Sequence, residues 1–160
     1  MKYLVLLLSL LCSTCYSQQI ILSTKNGPIG RIAQRMTGDY YTHSAIVLNG
    51  YVYEQDWPRA KRTPLGEYGK RRTINDVYNI PLSQEQTRVM QRYAESRMGE
   101  RYRLKNYLFP RSRKTNGTWC SPFVGQVLNS GGYRLQPSQM YEPENLRQSL
   151  PLNFSHRYRK

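Results

Sequence analysis

Tyr41-Thr42-His43-Ser44-Ala45-Ile46-Val47-Leu48, then Asn49-Gly50, then Tyr51-Val52-Tyr53-Glu54-Gln55, is the stretch that says most about this chain. Two runs rich in β-branched and aromatic residues flank an Asn-Gly dipeptide, the strongest short-range signal for a β-hairpin with a two-residue turn. With Asn49-Gly50 as the turn, Leu48 faces Tyr51, Ala45 faces Glu54 and His43 faces Asp56. The period of two places His43, Ala45, Val47, Val52, Glu54 and Asp56 on one face. One imidazole and two carboxylates thus come within reach of each other, Asp56 directly opposite His43 and Glu54 on the diagonal.

Upstream, residues 19–23 read as a short strand, broken by Asn26-Gly27-Pro28. Ile29, Ile32, Ala33 and Met36 have helical spacing and predict a short helix over 29–36. Downstream, residues 57–72 read as a basic loop with Pro and Gly, and residues 76–82 as a strand ended by Pro81. Residues 83–98 predict a helix. Ser83 caps it, Gln86 completes a capping box, and Val89, Met90, Tyr93, Ala94 and Met98 form its apolar stripe up to Gly99. After a basic, irregular stretch over 100–117, a second helix begins at or next to Cys120, because Pro122 fits only a first turn, and ends at Gly131-Gly132. Residues 137–160 are rich in Pro, polar residues and Arg, and are expected to wrap the surface or fray as a C-terminal extension of a domain spanning 18–136. The order of elements points to an α+β fold with a small antiparallel sheet.

At 160 residues the chain is long enough for one domain with a packed core. Its 14 Tyr, 3 Phe and 2 Trp argue against wholesale disorder. Met1-Lys2, an apolar run over 3–11 and a zone of small residues ending at Ser17 follow the order of a secretory signal peptide. Residues 1–17 are therefore expected to be cleaved, leaving a secreted or periplasmic protein. Retention as a membrane anchor is the weaker alternative, since a spanning helix needs about 20 apolar residues. Cleavage removes Cys12 and Cys15, so the mature chain keeps Cys120 alone. A lone cysteine in an exported protein is either a partner in an intermolecular bridge or a free thiol with a task.

Cys120 opens a helix, where unpaired N–H groups and the helix dipole favour an anion and lower a thiol pKa. Such a thiolate is a nucleophile for acyl transfer. The competing reading is a buried, inert cysteine. A nucleophilic thiol needs an imidazole to take and return its proton. His43 lies on a strand, whereas His156 lies close to the chain end, where geometry is hard to hold. Of the two acids, register favours Asp56. Glu54 has the longer side chain, and Asp56 stands before Trp57-Pro58, where the chain leaves a sheet.

The order of these motifs resembles a known family. A histidine on a strand (Thr42-His43-Ser44-Ala45-Ile46-Val47), an acid on the next (Val52-Tyr53-Glu54) and a cysteine opening a helix (Trp119-Cys120-Ser121-Pro122-Phe123-Val124) look like the circularly permuted NlpC-type papain-like hydrolases. The YiiX/YebB-like branch is the nearest, with the lecithin:retinol acyltransferases more distant. The resemblance covers about residues 19–135, including Thr63-Pro64-Leu65 and Gly99-Glu100-Arg101-Tyr102. It implies a permuted papain-like domain with Cys120 as nucleophile, His43 as base, Glu54 as third polar residue and Tyr102 as a site tyrosine. Two features depart from the family: Ser121-Pro122 stands where a Ser-Glu pair is common, and the chain is strongly basic.

Lys and Arg number 24 against 10 Asp and Glu, a net charge of +14. The basic clusters at 61–62, 70–72, 101–105, 111–114 and 157–160 interleave with Tyr and Phe, a pattern that can bind phosphate and stack on bases or simply face water. For an exported protein, anionic cell wall or lipid head groups are the expected counterpart rather than nucleic acid. One cysteine and two scattered histidines show no zinc spacing, and G-x-S-x-G, P-loop and H-E-x-x-H motifs are absent. The expectation is a monomeric thiol hydrolase or acyltransferase without a cofactor, acting on an amide or ester of a peptidoglycan peptide, another peptide or a lipid. The alternative is a non-catalytic basic module for nucleic acid or anionic surfaces.

Overall fold

A computed structural model describes residues 18–24, 34–35, 38–68, 74–103 and 118–159. The stretch over 1–17 lies outside them, as does the helix expected over 29–36 apart from Gln34 and Arg35, which are helical. Strands β1 (Gln19–Thr24), β2 (His43–Leu48), β3 (Tyr51–Gln55), β4 (Ala60–Pro64), β5 (Ile74–Asn79) and β6 (Asn153–Arg159) form one six-stranded antiparallel sheet in the order β4-β3-β2-β1-β5-β6. Helices α1 (Leu65–Tyr68), α2 (Gln84–Ser96), α3 (Cys120–Ser130) and α4 (Pro143–Ser149), with a 3-10 turn at Pro137–Met140, complete an α+β architecture. Among the described residues no helix is long and apolar enough to cross a membrane.

The hairpin is as its residues dictate. Leu48 pairs with Tyr51, Val47 with Val52 and Ile46 with Tyr53. Asn49 and Gly50 both take positive φ, 49° and 78°, the geometry of the turn whose twist matches two right-twisted strands. Alternation along β2 sorts side chains onto two faces, and both are covered, so every residue of the strand is buried. Ile46 and Leu48, with Ile20, Leu22, Tyr53 and Tyr78, meet Met90 and Ala94 of α2, Phe123, Val124, Val127 and Leu128 of α3, and Leu146 of α4. On the other face Ala45, Val47, Ile21, Val52 and Val77 pack under Tyr68 and Leu65 of α1.

Helix α2 carries the expected capping box. Gln86 N–H donates to Ser83 Oγ at 3.2 Å, and Ser83 N–H donates to Gln86 Oε1 at 3.0 Å. The same Gln86 donates through Nε2 to the Gly131 carbonyl at the end of α3, so the cap also ties two helices together. A Cβ at Gly131 would overlap the Met90 side chain, which explains a glycine at that crossing. Tyr53 OH donates to Glu95 and fastens α2 to β3.

Three expectations are corrected. Residues 57–72, expected as loop, contain β4 and α1. The strand was hidden by Lys61 and Arg62, yet an edge strand pairs on one side only and tolerates charge. The strand expected over 76–82 begins at Ile74 and ends at Asn79, because its pairing with β1 runs from Thr24–Ile74 to Gln19–Asn79. The C-terminal segment does not fray. Leu146 is fully buried in the core, and β6 adds an edge to the sheet beside β5. Arg157 of β6 forms a two-pronged ion pair with Asp76 of β5, which is 1 % exposed and also accepts from Tyr41 OH at 2.5 Å. The antiparallel sheet is accordingly larger than the small one expected.

Candidate functional site

Three elements converge at one end of the sheet. His43 is the first residue of β2, Glu54 stands one residue before the end of β3, and Cys120 is the first residue of α3. The start of α3 is held from several sides. Ser44 Oγ of β2 donates to Ser121 Oγ at 3.2 Å, and the Trp119 indole N–H donates to the Tyr141 carbonyl at 2.9 Å. Thr118 forms a bridge with Tyr102 and accepts from the Arg103 N–H at 3.0 Å. Trp119 caps α3 without a side-chain hydrogen bond, so the cap's side chain satisfies none of the first-turn N–H groups.

Cys120 is a free cysteine, 4 % exposed. Burial pushes its thiol up, but the hydrogen bond and charge of His43, a backbone hydrogen bond from Ser44 and the Ser121 hydroxyl bring it net below the ordinary thiol range. His43 is also 4 % exposed, and its Nε2 lies 2.7 Å from Glu54 Oε2. With Nε2 committed to the carboxylate, Nδ1 is the nitrogen left for the sulfur. Glu54 is 1 % exposed, and its other oxygen is 3.5 Å from Lys61 Nζ. The result is a buried run from carboxylate to imidazole to thiol.

The structure brings together Cys120, His43 and Glu54. Asp56 lies past the end of β3, as its place before Trp57-Pro58 suggested, and its carboxylate takes Lys61 Nζ at 2.8 Å and the Trp57 N–H at 2.9 Å. Tyr102 reaches the area through its bridge to Thr118, two residues before Cys120, and its ring meets Trp57 edge-on at 6.3 Å. His156 lies on β6, three strands from β2, where Nδ1 meets Ser155 Oγ at 2.9 Å and the ring packs on Tyr158. Sequence reading missed Ser44, Ser121 and Lys61. The first two directly follow His43 and Cys120, and that adjacency was an available signal; Lys61 was hidden with β4.

No protein-family model matches the chain, and no curated protein is similar to it in sequence. Among solved structures, the crystal structure of the metalloprotein YiiX from Escherichia coli O157:H7 superposes with a TM-score of 0.70, over 90 % of this chain and 98 % of that one. The chain has the YiiX fold. Sequence identity to YiiX over that match is 18 %, so the likeness is one of fold. Its description as a metalloprotein belongs to YiiX. In this chain, among the described residues, no three His, Cys, Asp or Glu side chains gather where they could hold a metal ion. The imidazole at the candidate site is engaged by a carboxylate and a thiol, so this donor set does not fit a metal.

Proposed function

We propose that this protein is an exported cysteine hydrolase or acyltransferase of the permuted papain-like, NlpC-type kind, acting on an amide or ester carbonyl. Cys120 is the nucleophile, His43 the general base and acid, and Glu54 the residue that orients the imidazole. The observation that carries the reading is the buried contact of His43 Nε2 with Glu54 at 2.7 Å, with the imidazole hydrogen-bonded to a thiol that opens a helix. Glu54 holds the proton on Nε2 and leaves Nδ1 free to accept the thiol proton. The thiolate then attacks the carbonyl carbon, and the oxyanion faces the backbone N–H of Cys120 at the start of α3. His43 returns its proton to the departing amine or alkoxide as that bond breaks and a thioester remains. Water or an amine resolves the thioester, giving its proton to Nδ1 while the C–S bond breaks and the sulfur regains a proton.

Removal of residues 1–17 leaves Cys120 as the only thiol, which suits a nucleophile in an oxidising compartment. Tyr102 supports the site from the strand bridge at Thr118. The excess of cations concentrates an anionic substrate or surface, such as cell-wall peptide or lipid, without entering the chemistry.

Iodoacetamide labelling followed by mass spectrometry tests the reading. Near pH 6, Cys120 in the native protein is expected to label faster than in the unfolded protein, and His43→Ala to abolish that advantage. A labelling rate that titrates near the free-thiol value of about 8.5 would overturn it. Salt-dependent binding to anionic polymers that survives Cys120→Ala, without thiol reactivity, would indicate a basic binding module instead.

A further inference from the structure

Two arginines face each other where the chain entering β4 meets the chain leaving α2. Arg59 and Arg101 stand directly opposite in an isolated antiparallel bridge. The Ala60 N–H donates to the Glu100 carbonyl at 2.8 Å, and the Tyr102 N–H donates to the Pro58 carbonyl at 2.9 Å. These bonds flank the two arginines rather than join them. Such a non-hydrogen-bonded pair brings Cα atoms to about 4.5 Å and side chains closest together. Residues directly opposite share a face, and like charges placed there destabilise the pairing. Both arginines are exposed. Their acidic neighbours in the chain are engaged by other cations, Asp56 by Lys61 and Glu100 by Arg97. Arg59 donates through Nη1 to the Gly99 carbonyl at 3.3 Å. Among the described residues the Arg101 guanidinium has neither an ion pair nor a hydrogen bond.

We propose that Arg59 and Arg101 bind the phosphoryl group of a phosphate monoester between them. A guanidinium presents a planar fork of N–H donors that matches two oxygens of a phosphate or a carboxylate. A carboxylate has only two oxygens, so one arginine fork occupies it. A phosphate monoester carries close to −2 above its second pKa of about 6 and has three terminal oxygens. It can share those oxygens between two forks and match both positive charges. A phosphate diester keeps one charge and two free oxygens, and leaves one guanidinium unmatched. The two positions are also set in advance. Gly99 N–H donates to the Ala60 carbonyl at 2.9 Å, and Tyr102 is tied by its bridge to Thr118, so binding has little backbone left to order. Trp57, 70 % exposed and edge-on to Tyr102, offers apolar surface two residues from Arg59 to the organic part of the ester. The site involves no step at Cys120 and stands apart from the acyl-transfer reading. The phosphate belongs either to a soluble monoester or to a lipid headgroup of the phosphatidic acid kind.

Isothermal titration calorimetry at about pH 8, where a monoester is fully dianionic, reads the site with methyl phosphate and dimethyl phosphate. Methyl phosphate is expected to bind at least about tenfold more tightly, the scale of one charge-assisted hydrogen bond. Arg59→Gln and Arg101→Gln should each weaken it by at least about tenfold. Arg134→Gln, which removes the same charge from an exposed position past the C-terminal end of α3, should weaken it less than about twofold, as expected for diffuse attraction alone. Arg101→Lys keeps the charge without the fork and should fall between wild type and Arg101→Gln. The Tm of Arg101→Gln without ligand should not fall, because the change relieves a like-charge contact, and methyl phosphate should raise the Tm of the wild type but not of this variant. Equal affinity for the two esters, no binding of methyl phosphate, or equal weakening by Arg134→Gln would overturn the site. A lowered Tm for Arg101→Gln would make that arginine structural and overturn it too. Phosphatidylcholine vesicles doped with phosphatidic acid, or with phosphatidylglycerol to equal charge, separate the two sources. Cosedimentation favouring phosphatidic acid and lost in Arg101→Gln places the phosphate on a lipid. Equal cosedimentation beside tight methyl phosphate binding places it on a soluble ester.

Discussion

Glu54 and Asp56 stand two residues apart, and their carboxylates meet different surroundings. Glu54 is 1 % exposed between His43 and Lys61, whereas the Asp56 side chain is 25 % exposed and shares the same lysine. An exposed ion pair is worth under about 1 kcal/mol, and a carboxylate that sets an imidazole tautomer is worth far more to turnover. Under the proposed reaction, Glu54→Gln is expected to cut turnover severely, toward the 10⁴-fold scale known for the corresponding change in serine proteases. Asp56→Asn should cost little. Steady-state assay of both variants on one acyl substrate decides between them. A dead Asp56→Asn enzyme beside an active Glu54→Gln enzyme would reverse the assignment.

Among the elements, β6 shows how one buried charge secures a strand. Its Arg157 faces Asp76, and the carboxylate also accepts from Tyr41, whose hydroxyl is 3.1 Å from that of Tyr78. Burial, then hydrogen bonds to Asp76 and Tyr78, hold the Tyr41 hydroxyl well above the usual tyrosine range, so it remains a donor at every working pH. Arg157→Ala leaves the Asp76 carboxylate, 1 % exposed, without its cation and is expected to be clearly destabilising. Arg147→Ala removes an exposed pair with Glu144 within α4 and should cost no more than about 1 kcal/mol. Urea unfolding measures both. Hydrogen exchange should show faster amide exchange in β6 for Arg157→Ala alone, and equal losses for the two variants would contradict this account.

Over the whole molecule, the net charge is +14. Cations on a surface raise the local concentration of anionic ligands, and salt screens that attraction over about 10 Å at 0.1 M. The buried run from Glu54 to Cys120 is screened much less. Raising salt is therefore expected to raise KM for an anionic substrate more than it lowers kcat. Kinetics at several ionic strengths check this, and an effect confined to kcat would place the cations in the chemistry instead.

What the sequence by itself determined is local. The Asn49-Gly50 turn follows from the left-handed conformations those two residues tolerate, the start of α2 from the reciprocal bonds of Ser83 and Gln86, and the start of α3 at Cys120 from the only place Pro122 fits. With register set by the turn, an imidazole and an acid on one face could be read before any tertiary contact was known. The choice between Glu54 and Asp56 was less legible, because it depends on Lys61, a residue of an edge strand whose charges hide its strand pattern. The tertiary structure alone decided that the C-terminal segment returns to the sheet, that His156 sits three strands from the strand of His43, and that Ser23 and Asn75 line up with His43. These pairings join residues far apart in the chain. A turn or a cap is selected by the conformations of a few adjacent residues, whereas a pairing between distant strands is selected by the burial and hydrogen bonding of the whole sheet at once, which no short window of sequence carries.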